Sequence, residues 1–271
     1  MFKINYKSAI LLGIVAISSF QAPAKAASLL GTANNFGVLG GSRVTNTGPS
    51  VITQSLGVST GSSATGFSPG SVTGTIFTSD TVAAQAQADN ATAYNFLAGL
   101  SSNVDLTGKD LGGLTLRPGV YSFRSSAQLT GTLTLDNLGD PNALFVFQIG
   151  STLTTASNSS VVTTNGEAPN VFFQVGSFAT LGTGTQFMGN ILALTSITLT
   201  TGVNIECGRA LAQNGAVTMD TNRVSSACDT KPQKVVEEVA VVPEPDSSLG
   251  VLGSGIVGLL FAFSKRFKKG W

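Results

Sequence analysis

The chain of 271 residues contains no histidine and two cysteines, Cys207 and Cys228. Without histidine, neither a Ser-His-Asp nor a Cys-His arrangement can be assembled. Two cysteines alone make no zinc site. Polysaccharide-cleaving β-helices need clustered carboxylates with Lys or Arg on one face, and two carboxylates for glycoside hydrolysis must stand at a defined separation. Here Asp136 and Asp140 share one loop, Asp220 is a lone acid, and Glu167, Glu206 and Arg209 read as turn or surface groups. The run Leu39-Gly40-Gly41-Ser42 lacks the lysine and helix context of a phosphate loop, and the repeated aspartate of calcium-binding repeats is missing. These residues describe a protein that is not an enzyme and that carries no cofactor.

What remains is threonine: 30 of the 203 residues between 27 and 229. Thr154, Thr180, Thr198 and Thr218 hold the same place in four similar lines of sequence, at spacings of 26, 18 and 20 residues. The lines are FVFQIGSTLTTAS, VFFQVGSFATLGTG, ILALTSITLTTG and RALAQNGAVTMDTN. Strand-bearing self-similarity at about 20 residues is the signature of a β-solenoid, and the gap of 26 marks an inserted loop. In the second half of each line Leu153, Ala179, Leu181, Ile197, Leu199, Val217 and Met219 alternate with Thr154, Ala156, Thr180, Gly182, Thr198, Thr200, Thr218 and Asp220. Alternate residues of a strand face opposite ways, so the first set points inward and the second outward. Thr132 and Thr134, between Leu133 and Leu135, read as an earlier rung of the same ladder, and Thr155 is an exception at an inward position. Stacked rungs would make a grid of methyl and hydroxyl groups, stiff because threonine is restricted at χ1. Exposed threonine is also simply a good strand residue, so the ladder by itself permits either reading.

The first half of each line is apolar on both faces, as in Phe145-Val146-Phe147 and Val171-Phe172-Phe173. Strands covered on both sides read this way, so something must lie over that wall. Residues 81–100, alanine-rich and free of proline, supply a helix of about five turns. Ser79 or Asp80 can cap it, with Val82, Ala86, Ala93, Phe96 or Leu97, and Leu100 on the buried face. Asp105 and Asp110 follow in a polar loop. Residues 28–78 read as further rungs and a cap, and residues 119–123 as a strand after an Arg-Pro-Gly turn.

The chain ends set an address. Residues 1–26 read as a secretory signal, with Lys3 and Lys7, an apolar run over 9–20 and Ala24-Lys25-Ala26 before the cut. In an exported chain the default for Cys207 and Cys228 is a disulfide. Residues 27–229 form one domain with 6 Lys/Arg and 10 Asp/Glu, a formal charge of −4 that offers no basic stripe to nucleic acid. Residues 230–241 read as a linker. In residues 242–271, Pro243-Glu244-Pro245 precedes an apolar run at 249–263 and then Lys265, Arg266, Lys268 and Lys269. That tail resembles the PEP-CTERM sorting signal, which implies transient membrane association and processing by an exosortase-type enzyme; a simple membrane tail is the alternative.

The domain itself resembles the ice-binding-protein-like β-solenoid family. The resemblance is carried by NFGVLGGSRVTNTGPSVITQSLGVS, TGFSPGSVTGTI, AAQAQADNATAYN, DLGGLTLRPGVYSF, LTGTLTLD, GDPNALFVFQIGSTLTTASNSSV, NVFFQVGS, GNILALTSITLTTG and GRALAQNGAVTMD. It implies a mainly β fold, a right-handed parallel β-helix of triangular section with one long helix alongside, whose N- and C-terminal rungs meet out of sequence order. It implies adsorption to an ice crystal surface by a secreted or cell-surface protein, through Thr132, Thr134, Thr154, Ala156, Thr180, Gly182, Thr198, Thr200 and Thr218, with Asp220 at the edge of the site. A surface or matrix protein that binds extracellular polysaccharide or mediates adhesion is the alternative.

Overall fold

The structure is a computed structural model that describes residues 29–166 and 170–228. The signal at 1–26, the linker at 230–241, the tail at 242–271 and Glu167 lie outside the described residues. No helix among the described residues is long and apolar enough to cross a membrane.

Strand pairing is parallel throughout and stacks the lines of sequence in register. Three rows result. The first carries Val104–Asp105, Gly119–Phe123, Leu144–Ile149, Asn170–Val175, the ends of Gln186–Ala193 and Asn204–Ala212, then Phe36–Gly40, Ser55–Val58 and Ile76–Thr78. The second is a separate sheet of Ala127–Leu129, Leu153–Thr155, Ala179–Leu181, Ile197–Leu199, Ala216–Asp220, Arg43–Thr47 and Ser63–Thr65. The third runs from Thr115–Leu116 through Thr132–Asp136, Ser160–Thr164 and the starts of the two long strands to Arg223–Val224, Val51–Ile52 and Ser71–Val72. In each row the N-terminal strands follow the last C-terminal one, as in Thr45 opposite Thr218 and Val38 opposite Ala210.

The inward residues of all three rows build one core. Along its axis Tyr121, Phe147 and Phe173 stack, with ring centroids 5.4 and 4.5 Å apart, and Phe187 tilts against Phe173 at 4.7 Å. The outward side of the first row is also buried: Val146, Phe172, Leu192 and Leu211 pack against the helix, here α1 (Thr81–Ala98). The buried face of α1 is Ala83, Ala86, Asn90, Ala93, Tyr94 and Leu97, with Leu100 packed beside it, so Ala86, Ala93, Leu97 and Leu100 lie as expected and Val82 and Phe96 do not. Val82 and Phe96 point to solvent, 46% and 55% exposed. The row below already projects bulky side chains, so the helix approaches with its alanines. Asp80 caps α1 by accepting from the Ala83 N–H at 2.8 Å. Gln148 of the first row donates to the Leu97 and Leu100 carbonyls, each at 2.7 Å, and so closes the other end.

Where the third row turns directly into the first, the long strands need close backbone approach. A Cβ on Gly208 would strike the Gly189 carbonyl of the strand beneath. In two earlier lines that corner is instead opened by loops after Asp136 and after Thr164, which accounts for the longer spacing there.

Candidate functional site

The second row places Thr154, Thr180, Thr198 and Thr218 opposite one another in register. Thr45 and then Thr65 continue the same line, and Gln128 begins it. Strands neighbour at about 4.8 Å, so the six threonines form a straight file of about 24 Å. Beneath them Leu153, Ala179, Leu181, Ile197, Leu199, Val217, Met219 and Val44 are buried, and this packing fixes which way each threonine points. Among the described residues no protein group hydrogen-bonds the hydroxyls of Thr45, Thr65, Thr154, Thr180, Thr198 or Thr218. Six hydroxyls thus stand ready for an external partner, each on a side chain held by its own β-branch.

Thr132 and Thr134 do not belong to this file. They lie in the third row, where Thr132 faces Ser160, with the two hydroxyls 2.8 Å apart, and Thr134 stands between Thr115 and Val162. The rung that precedes Thr154 is Ala127–Leu129. Alternating Leu and Thr report a half-buried strand but not which wall it belongs to. The distance from the apolar strand does: the second row restarts about four residues after the first row ends, as in Ile149 to Leu153, Val175 to Ala179 and Phe123 to Ala127. The same count from Gly40 finds Thr45, whereas the turn after Val58 is two residues longer before Ala64 and Thr65.

In the next outward column Ala156 is exposed and Gly182 half-buried, and a Cβ on Gly182 would lie 2.6 Å from the Thr155 carbonyl, so that glycine answers to backbone approach. The Thr200 hydroxyl is turned to the Leu181 carbonyl at 2.7 Å. Asp220 pairs with Thr47 across the junction of the chain ends and accepts from the Thr221 hydroxyl at 3.0 Å. The inward Thr155 is satisfied: its hydroxyl meets that of Thr185 at 2.8 Å and accepts from the Gly182 N–H at 2.9 Å.

The acids serve turns. Asp136 accepts from Leu138 N and Asn165 Nδ2, and Asp140 from Asn142 N. The Asn165 amide above all holds the Asp136 carboxyl below the ordinary carboxylate range. No group of three or more His, Cys, Asp or Glu that could hold a metal occurs among the described residues. Glu206 is half-buried on the third row and accepts from Asn204 Nδ2 at 2.9 Å. Arg209 is not a surface group. It is 7% exposed within the strand Asn204–Ala212, and burial pushes its guanidinium down to about 10. Cys207 and Cys228 form a disulfide across 21 positions.

A mainly β protein of parallel strands with one covering helix, and a dry-backed file of free hydroxyls, has the make-up of a surface binder. A sequence profile of the family described as Ice-binding-like matches residues 38–225. Over its whole length the chain is 83% identical to an ice-binding protein of Nostoc sp. (strain HG1), across 273 aligned positions and 100% of both chains. A crystal structure of an ice-binding protein from an Antarctic biological consortium is similar at 45% identity and a TM-score of 0.71, over 83% of this chain and 96% of that one. That of the Antarctic ascomycete Antarctomyces psychrotrophicus is similar at 42% identity and a TM-score of 0.70, over 74% and 98%. The chain belongs to the ice-binding-like family.

Proposed function

We propose that this is an exported ice-binding protein that adsorbs to ice through the second row and so inhibits ice growth or recrystallisation. The observation that carries the reading is the file of six threonines whose hydroxyls have no partner within the described residues. Ordered water held by the file would bridge to the lattice. Many weak contacts on a preorganised surface bind well because little freedom remains to be lost. The stacked rows and the relatives support a right-handed parallel β-solenoid of triangular section as the scaffold. A polysaccharide-binding role would call for a row of exposed aromatics. The exposed aromatics among the described residues, Phe96 and Phe178, stand apart on α1 and at the margin of the second row. The tail at 242–271 supports sorting by an exosortase-type enzyme after the signal at 1–26 is removed, and the intact mass of the exported protein tests both ends. Ice-crystal shaping and a freezing gap, measured on the purified protein with and without a tyrosine in the file, test the function. A folded protein that neither shapes nor enters ice would overturn it.

A further inference from the structure

The threonine file has two origins. Thr154, Thr180, Thr198 and Thr218 come from successive lines of chain, whereas Thr45 and Thr65 belong to the N-terminal strands that dock behind the last line. Arg209 sits at that seam. On the outward side of the first row the column reads Val120, Val146, Phe172, then Asn190 and Arg209. An apolar column therefore turns polar in the last two lines before the N-terminal strands begin.

The guanidinium spans three lines. Its Nη1 donates to Asn190 Oδ1 at 2.9 Å in the line before. Nε and Nη2 donate to the Asn34 carbonyl at 3.1 and 2.9 Å, and Nη2 to Asn34 Oδ1 at 2.8 Å. Asn34 closes the short turn Gly31–Asn35 that leads into the strand Phe36–Gly40. The start of that turn is held by the opposite charge: Thr32 N and Oγ1 donate to Asp89 Oδ2 of α1 at 2.7 and 2.6 Å. The amide end of the turn thus faces an anion and its carbonyl end a cation, the sense its peptide dipoles favour. Arg209 has no carboxylate partner, since the ion pair found among the described residues is Arg124 with Asp105. A buried cation without a counter-charge is costly to keep, and three of its four hydrogen bonds reach across the seam to Asn34.

We propose that Arg209 is a positioning residue for ice adsorption. It clamps the turn Gly31–Asn35 to the C-terminal line and thereby keeps Thr45 and Thr65 in file with Thr218. This rests on the ice-facing reading of the file, so the test has one arm that does not. Amide hydrogen exchange is compared in the full chain between wild type, Arg209→Met and Arg209→Lys, together with ice adsorption. Losing these charge-assisted bonds accelerates exchange about tenfold or more in Phe36–Gly40 and Arg43–Thr47 while Ala179–Leu181 and Ile197–Leu199 stay protected. Adsorption of Arg209→Met falls to that of Thr45→Tyr, and combining the two adds nothing. Arg209→Lys, which keeps charge but not the planar fork, recovers part of both losses. A uniform rise in exchange over all rows, no rise, or a local rise with unchanged adsorption each overturns the proposal. If Arg209→Met does not fold, Asn34→Ala, which removes only the Oδ1 acceptor, is read by the same criteria. A wild type that does not adsorb to ice sinks the file reading, while the exchange arm still decides the clamp.

Discussion

A tyrosine placed at Thr198 should act very differently from one placed at Thr65, and the difference follows from their places in the file. Thr198 is the third of six in the order Thr154, Thr180, Thr198, Thr218, Thr45, Thr65. A bulky ring there divides the surface and leaves at most three contiguous contacts, those of Thr218, Thr45 and Thr65. With a net contribution of about 1 kcal/mol for each bridged hydroxyl, losing three costs about 3 kcal/mol, roughly a hundredfold in the adsorption equilibrium. Tyrosine at Thr65 leaves five contiguous threonines and costs about 1 kcal/mol, roughly fivefold. Thr134→Tyr, on the third row, should leave adsorption unchanged. All three sites point outward and tyrosine suits strands, so folding stability should shift by no more than about 0.5 kcal/mol. The assay is the fraction of protein taken into slowly grown ice, with the freezing gap beside it and circular dichroism as the folding control. Equal losses at Thr198 and Thr65 would refute the file as a cooperative surface. A loss at Thr134 matching that at Thr198 would refute the choice of row.

Reducing Cys207–Cys228 opens a loop of 21 positions, worth about 3 kcal/mol in the chain-entropy model. Calorimetry with and without reductant should show a clearly lower melting temperature, and an unchanged one would contradict a stabilising role. Thr155→Val strands the Gly182 N–H and takes one partner from the Thr185 hydroxyl, which keeps the Gly182 carbonyl at 2.6 Å, and should cost about 1–3 kcal/mol by denaturant unfolding, whereas Thr154→Val, facing out, should cost little. Acid should destabilise the fold. Asp89, through the Thr32 hydroxyl first, Asp105, through the Thr107 hydroxyl first, and Asp136 are held below the ordinary carboxylate value of 3.8. The unfolded chain therefore takes up protons first as pH falls, so their contribution is complete above that value and lost through the lower folded ones. With no histidine in the chain, a melting temperature flat between about pH 5 and 8 and falling below about pH 4 is expected. A slope across the neutral range would contradict this.

The repeat was legible because each line repeats its own burial pattern, and Thr154, Thr180, Thr198 and Thr218 came out in register. Thr132 and Thr134 were misplaced because Leu-Thr alternation measures exposure on a strand and says nothing of which neighbour that strand pairs with. The four-residue count from Gly40 assigns Thr45 to the same wall, but its partner Thr218 is 173 positions away, and no local pattern encodes a pairing across that distance. The helix was found by composition, but its rotation depended on the surface it meets. Against Phe172 and Leu192, small residues such as Ala86 and Ala93 fit and Phe96 does not. Arg209 read as a surface group because arginine usually is one, and its acceptor Asn34 lies 175 positions away.

The seam between Thr218 and Thr45 also bears on how the molecule is made. The N-terminal strands leave the ribosome first, yet the strands they pair with, Asn204–Ala212, Ala216–Asp220 and Arg223–Val224, are made last. Until then Phe36–Gly40 and Arg43–Thr47 have no C-terminal neighbour to stack on, and a long loop must close before that pairing is rewarded. The domain is thus completed at its middle rather than at an end. A nascent chain halted short of Asn204 would hold Thr45, Thr65, Thr154, Thr180 and Thr198, but in two stacks that no strand pairing joins.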